Sequence, residues 1–319
     1  MNNLFSNKSL SELDKVSSFL KMDVSTEKII KSLYKYIFTK DGKKLRPLVN
    51  LLFSRGYGAK NRLELATIIE LLHVATLVHD DVVDKAFLRR GKQAVNKVWS
   101  NSHSVLIGDY IYSKAFIKMV ALKRLDILKE LSNATNDIAK GELLQLTLFN
   151  SRDVVTKQQC LKVAYYKTGR LFEASALTGA MLRSSHKNFL ALSSKFGKDL
   201  GIAFQIKDDL LDFKIQSKSG KEQFKDFVEG KYTLPLVLAL QKTSLIEKKF
   251  LNSKFGKKLS KADKEKIYDI MDSSKGISSC ENILNGYVAS AQEVVSKLEK
   301  SMDCNDLNQL ISYSSLRTI

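Results

Sequence analysis

Two acidic motifs dominate the chemistry this chain can offer. The first reads His79-Asp80-Asp81-Val82-Val83-Asp84 and the second Lys207-Asp208-Asp209-Leu210-Leu211-Asp212, each an Asp-Asp-x-x-Asp, 128 residues apart. On a helix, residues i and i+4 differ by about 40° around the axis and about 6 Å along it, so Asp80 with Asp84, and Asp208 with Asp212, share a face. Carboxylates at that spacing repel one another unless cations neutralise them, and hard oxygen donors suit Mg²⁺. Mg²⁺ rarely sits in an all-protein cage; it keeps waters and shares its coordination with substrate phosphates. Two such clusters describe a trap for a diphosphate held through several metal ions. A single acidic triplet would read as a helix cap or surface charge. Here both follow apolar stretches, Ile68-Ile69-Glu70-Leu71-Leu72 and Ile202-Ala203-Phe204-Gln205-Ile206, where unpaired charge is costly, and the pattern occurs twice.

Cations of the right kind accompany the aspartates. Gly42-Lys43-Lys44-Leu45-Arg46-Pro47 precedes an apolar run, and Arg89-Arg90-Gly91 follows the first acidic motif. Guanidinium groups grip phosphate oxygens through a bidentate fork, whereas lysine acts as a mobile point charge.

These groups need rigid elements to hold them, and composition says which. Among 319 residues there are 2 prolines and 15 glycines, where average usage would give roughly 16 and 22. Such scarcity excludes collagen-like and proline-rich chains and favours long, unbroken helices. The run Leu284, Tyr287, Val288, Ala291, Val294, Val295, Leu298 shows the i, i+3, i+4 spacing of an amphipathic helix. Leu63–Val83 and Phe196–Phe213 are apolar almost all round, which predicts central helices ending in the two acidic motifs. Gly197 and Gly201, one turn apart, predict a close approach of another backbone or a ligand. Period-two runs are nearly absent, and no repeat or linker divides the chain, so a single all-α domain is expected.

Cys160, Cys280 and Cys304 show neither paired nor metal-like spacing, which suits a reducing, cytoplasmic setting. The amino terminus resembles no targeting segment, and the most apolar window, Leu65–Val83, carries too many polar residues for a membrane span. The net charge of +18 admits nucleic acid, an anionic membrane or a polyanionic small substrate. Nine lysines lie between Lys242 and Lys266, a stretch for which no role is assigned.

Taken in order, DGKKLRP, ELLHVATLVHDDVVDKAFLRRG, LIGDYIYSKAF, KGELLQL, YYKTGRLFEAS, FGKDLGIAFQIKDDLLDF and EGKYTLPL resemble the trans-isoprenyl diphosphate synthases, or polyprenyl synthetases, from Gly42 to Pro235. The resemblance implies an isoprenoid synthase fold of long antiparallel helices around a central cavity. Residues 1–319 would form one domain, with a motif-bearing core over about 40–240 and C-terminal helices over 241–319. It also implies a homodimer and repeated addition of isopentenyl diphosphate to an allylic diphosphate. Transient membrane contact for product release is a further expectation, and the want of a recognisable motif argues against a nucleic-acid partner.

Position by position, the resemblance assigns Mg²⁺ binding to Asp80, Asp84, Asp208 and Asp212, with Asp81 beside the first pair. Lys43, Arg46, His73 and Arg90 correspond to the isopentenyl diphosphate site, and Arg89, Lys167, Thr168, Gln205, Lys221 and Lys231 to the surroundings of the allylic diphosphate. Asp80, Asp81, Asp84, Asp208, Lys167, Thr168 and Lys231 are the expected catalytic set. The charge that develops as an allylic C–O bond stretches needs metal ions and cations to stabilise it. The family loses its proton to the departing diphosphate, which suits a chain without a histidine–carboxylate–serine constellation.

Asp41 stands where the family's loop usually begins with glycine, and Phe224 and Phe227 where a glycine and a smaller apolar residue are common. Ala75 and Thr76, one turn before Asp80, are small where short-chain members place aromatics, so a long product of about C40 for a quinone side chain is expected, with its floor near Met119. The alternatives fit less well. Farnesyl or geranylgeranyl synthases need that bulk, a class I terpene cyclase needs no isopentenyl site, and a non-catalytic partner subunit would generally lose its aspartates.

Overall fold

The computed structural model describes residues 4–22, 26–39, 42–149, 154–213 and 223–316. In chain order its helices are α1 (Asn7–Met22), α2 (Lys28–Phe38), α3 (Leu45–Phe53), α4 (Ala59–Val83), α5 (Val95–Val98), α6 (Asn101–Ala121), α7 (Leu125–Phe149) and α8 (Lys157–Ala164). They continue as α9 (Arg170–Arg183), α10 (Lys187–Asp212), α11 (Lys225–Val228), α12 (Leu234–Leu240), α13 (Leu245–Lys254), α14 (Lys261–Ser273), α15 (Gly276–Leu298) and α16 (Asn305–Leu316). A π-helical turn, Tyr165–Gly169, joins α8 to α9. The strands among the described residues are β1 (Leu88–Arg89) and β2 (Lys92–Gln93). Both predicted central helices are present, and each begins upstream of its apolar stretch, α4 at Ala59 and α10 at Lys187.

The chain divides into two compact units. One comprises Met1–Thr135, Ala174–Ser194 and Asn305–Gln309, the other Asn136–Glu173, Lys195–Cys304 and Leu310–Ile319. In the first, α4 is wrapped by α1, α3 and α6. Leu65, Ile68, Ile69, Leu71 and Leu72 are all fully buried, which is why α4 shows no single apolar stripe. Pro47 sits in the first turn of α3, where the missing N–H has no intrahelical partner to lose.

In the second unit α12 is the hub, packed on α8, α14 and α15. The predicted close approach is there: a Cβ on Gly201 would lie 2.6 Å from the Cα of Gly169, and one on Gly197 2.5 Å from the carbonyl of Phe172. Ile202, Ala203, Ile206 and Leu210 pack with Leu234, Val237, Cys280 and Leu284. Phe224 and Phe227 are core residues, edge-on to Phe213 and Phe255 at ring separations of 5.5 and 5.3 Å. Their unusual size therefore serves packing. Among the described residues no helix is long and apolar enough to cross a membrane.

Candidate active site

In the first unit the acidic motif closes α4. Asp80 and Asp84 are half-buried on one face, and the N–H of Asp84 still donates to the Asp80 carbonyl at 2.8 Å, so the helix persists through the motif. Asp81, expected beside the metal-binding pair, turns inward instead and is 2% exposed. Its Oδ1 accepts from Nε and Nη2 of Arg89 at 2.8 and 2.5 Å. Arg89 reaches it from a two-residue hairpin whose turn, Arg90-Gly91, has φ of +53° and +72°, the positive pair that a tight hairpin requires. Burial weakens the proton affinity of Arg89, but the Asp81 hydrogen bond and the charges of Asp81, Asp80 and Asp84 outweigh it and hold the pKa above its ordinary value.

Beside this lies a cluster of cations. Arg46, on the first turn of α3, donates from Nη1 to Nε2 of His73 at 3.1 Å. Burial, then the charges of Arg46, Arg90 and Arg89, keep His73 neutral and its pKa well below the usual imidazole value. A neutral ring that accepts at Nε2 carries its proton on Nδ1. Arg90 Nη2 stands 3.9 Å from Oε1 of Glu70, which is 1% exposed. Arg46 itself is pushed down to about 10, by burial first, with Glu70 opposing and Arg90 reinforcing the shift. Two guanidiniums over one carboxylate leave a net positive charge in a desolvated place, which is the electrostatics of an anion site. Gly42 completes it: a Cβ there would lie 2.3 Å from Arg90 Nη2, so only glycine lets the loop lie against that guanidinium. Lys43, next in the loop, is exposed.

Glu70 is the residue that sequence reasoning passed over in this cluster. Its signal was present, a lone acid in an apolar helix three residues before His73.

In the second unit the pattern repeats. Asp208 is exposed and Asp212 half-buried, while Asp209 between them is buried and held. Asp209 Oδ1 accepts from Gln205 Nε2 at 2.8 Å, and its Oδ2 from the N–H of Leu234 at 3.4 Å. Gln205 Oε1 in turn accepts from Thr168 Oγ1 at 2.6 Å, so the predicted pair Thr168 and Gln205 forms one chain of hydrogen bonds ending on Asp209. Thr168 and Lys167 sit on the π-helical turn, a distortion that re-aims side chains. Lys167 Nζ donates to Glu142 and Gln145, each at 2.9 Å.

Asp212 accepts from the backbone N–H groups of Lys225 and Asp226 at 2.9 and 3.1 Å. Asp226 is the second residue missed by sequence reasoning, since nothing in its spacing ties it to Asp212. Burial and then the charge of Asp226 raise the pKa of Asp209 to about 8 and that of Asp212 in the same direction; burial likewise raises Asp226, against the pull of Lys231. Carboxylates raised by burial and by one another's charge are crowded oxygen donors, and that all-oxygen character fits Mg²⁺ or Ca²⁺. Among the described residues no three His, Cys, Asp or Glu side chains form a metal cage, so waters or phosphate oxygens would complete the coordination. Lys231 is 9% exposed and lies 2.8 Å from Glu229. Lys221 lies outside the described residues.

The residues expected to set chain length lie on α4 and α6, which pack together. His79 Nε2 meets the carbonyl of Val105 at 3.2 Å, so the start of α6 lies beside the end of α4 and the two run antiparallel. Counting back from there places Met119 level with Leu65, roughly 15 Å below Ala75 at 1.5 Å per residue. Ala75 and Met119 are both buried, as are Ile111 and Ala115 between those levels. Thr76 donates from Oγ1 to the His73 carbonyl at 2.7 Å.

Comparison with known proteins bears on this arrangement. The model of the family described as polyprenyl synthetase matches residues 27–271. The chain belongs to the polyprenyl synthetase family. It is 42% identical over 219 residues to octaprenyl diphosphate synthase of Escherichia coli (strain K12), a match spanning 68% of each chain. It is 40% identical over 219 residues to the geranyl-diphosphate-specific all-trans-nonaprenyl-diphosphate synthase of Rhodobacter capsulatus, covering 67% of each. Among solved structures it is similar to polyprenyl synthase from Caulobacter crescentus CB15 complexed with calcium and isoprenyl diphosphate. The TM-score is 0.88 and the identity 30%, over 98% of this chain and 96% of that one. The fold is thus the all-α isoprenoid synthase fold, and the enzyme is a prenyltransferase of the long-chain polyprenyl diphosphate synthase group.

Proposed function

We propose that this polyprenyl synthetase condenses isopentenyl diphosphate repeatedly onto an allylic diphosphate, by ionisation, condensation and proton elimination, to an all-trans product of about C40 destined for a quinone side chain. The observation that carries the reading is the shared construction of the two acidic motifs. In each, the middle aspartate is buried and held, Asp81 by Arg89 and Asp209 by Gln205 and Leu234, while the first and last are more exposed on one helical face.

In this reading Asp80, Asp84, Asp208 and Asp212 hold Mg²⁺, which would neutralise the allylic diphosphate and ease departure of its leaving group. Arg46, Arg90 and Lys43 bind the isopentenyl diphosphate, with neutral His73 orienting Arg46 and Glu70 orienting Arg90. Lys167, Lys231, Lys221 and Arg89 stabilise negative charge as it gathers on the departing diphosphate, and Thr168 and Gln205 border the carbocation. Bond formation uses the isopentenyl double bond as nucleophile, and the proton lost afterwards goes to the diphosphate just released. Residues 1–319 act as one catalytic domain, in a cytoplasmic homodimer. Leu106, Ile117 and Val120, exposed along one side of α6, support self-association, and the free, buried thiols of Cys160 and Cys280 support a reducing compartment.

The test is incubation of purified protein with farnesyl diphosphate, labelled isopentenyl diphosphate and Mg²⁺, followed by chromatography. Long products that vanish with a chelator and in Asp80→Ala are expected. Absence of elongated product from the parent protein, or an Asp80→Ala variant as active as the parent, overturns the proposal.

A further inference from the structure

The stretch Lys242–Lys266 holds nine lysines against Glu247, Asp263 and Glu265, a net charge of +6 in 25 residues. It forms α13, the turn after it and the start of α14, which pack on each other. Leu251 on α13 is buried, and the opposite side of that helix carries Leu245 and Ile246, 78% and 82% exposed, with exposed Lys249 between them on the helical wheel. Two neighbouring branched aliphatic side chains this bare are unusual on a surface rich in charge. Exposed Lys257 and Lys258 follow in the turn. Among the described residues Lys249 and Lys258 have no carboxylate partner, so their charge is available.

This ridge is joined to the loop that the proposed function places at the diphosphate. The N–H of Gly256 donates to the Phe227 carbonyl at 3.1 Å, and the ring of Phe255 packs on Phe227 and Tyr232 at 5.3 and 4.6 Å. Lys231 lies between those two contacts in sequence.

We propose that α13 and the α13–α14 turn dock the enzyme on an anionic phospholipid bilayer, with Leu245 and Ile246 entering the interface and Lys249, Lys257 and Lys258 over the headgroups. The pairing of bare aliphatics with unneutralised lysines matches a surface that is negative outside and apolar beneath. An acidic protein or a nucleic acid would answer the charge but give the two aliphatic side chains nothing to enter. Docking there brings the Phe227–Tyr232 loop to the membrane, where a polyprenyl diphosphate can leave without crossing water. That consequence rests on the proposed condensation; the docking does not, and the two are measured separately.

The experiment sediments the full-length protein with vesicles of phosphatidylcholine containing phosphatidylglycerol, and with phosphatidylcholine alone, at low and high salt. Binding to the anionic vesicles only, weakened by salt, is expected. Lys249→Gln and Lys258→Gln should each lower partitioning about fivefold, and Leu245→Ser with Ile246→Ser together by about tenfold or more. Product formation in detergent and the thermal midpoint should stay unchanged. Leu245→Trp, which leaves the charge intact, should show a blue-shifted emission on anionic vesicles. Equal binding to neutral vesicles, partitioning indifferent to these substitutions, no blue shift, or retention by RNA or polyglutamate without retention by vesicles would each overturn the proposal.

Discussion

Gly42→Ala separates binding from folding. The new methyl carbon would stand 2.3, 2.5 and 2.8 Å from Nη2, Cζ and Nη1 of Arg90, where ordinary contact begins beyond 3.4 Å. The backbone at Gly42 is not in the left-handed region, so alanine itself is unstrained there. What must yield is the end of a flexible, 29% exposed side chain whose ion pair with Glu70 is already long at 3.9 Å. Because the Arg46 guanidinium still faces Glu70, moving Arg90 into solvent costs the fold about 1 kcal/mol or less. A diphosphate, however, loses one charge-assisted hydrogen-bonding partner worth about 1.5–3 kcal/mol, or about 10- to 150-fold in affinity. Steady-state kinetics should show the KM for isopentenyl diphosphate rising by that factor, with the KM for the allylic substrate little changed. Urea unfolding should show a nearly unaltered midpoint. An unchanged isopentenyl KM would remove Arg90 from that site, and a large loss of stability would show that the loop cannot accommodate the side-chain movement.

The counterpart is Gly201→Ala, whose methyl would meet the Gly169 Cα at 2.6 Å; backbone cannot swing away, so a loss of about 1–3 kcal/mol is expected in urea unfolding, and a midpoint like the parent's would refute the packing. Arg89→Met strands the buried Asp81 carboxylate and should cost about 3–5 kcal/mol, more than Asp81→Asn, since Arg89 can turn to solvent from its 38% exposed position; equal costs would deny the asymmetry. Asp209, with a pKa of about 8 against an ordinary carboxylate value, favours the protonated fold. In metal-free protein its contribution is complete below about pH 4 and is lost as pH rises through about 8. Asp209→Asn should flatten that decline in chelator, and an identical pH slope would sink the assignment. Ala75→Phe should shorten products towards C15–C20 by filling the seam below Asp80, and an unaltered product ladder on chromatography would take Ala75 out of the growing chain's path.

Much of this was legible before any coordinates. Periodicity and the near-absence of proline yield helices, because each reports a local property of the backbone. The pairing of Asp80 with Asp84 follows from helical geometry alone. Resemblance placed Arg46, His73 and Arg90 in one site, and the fold brings them together. What sequence could not show is which way a side chain turns when its neighbours are equally acidic. Asp81 and Asp209 look like their flanking aspartates, yet Arg89 and Gln205 draw them inward.

Asp226 and Glu70 escaped notice for the same reason. A carboxylate acquires its role from charges that meet it in space, and Asp226 meets Asp212 across a turn whose register no pattern announces. Alone, the amino-acid sequence determined helix type, the two acidic helix faces and the family. Tertiary structure decided which aspartates hold the scaffold and which two cations share Glu70. It also decided that the lysine-rich ridge touches the Phe227–Tyr232 loop, because burial and long-range contact, unlike helical spacing, are properties of the packed chain.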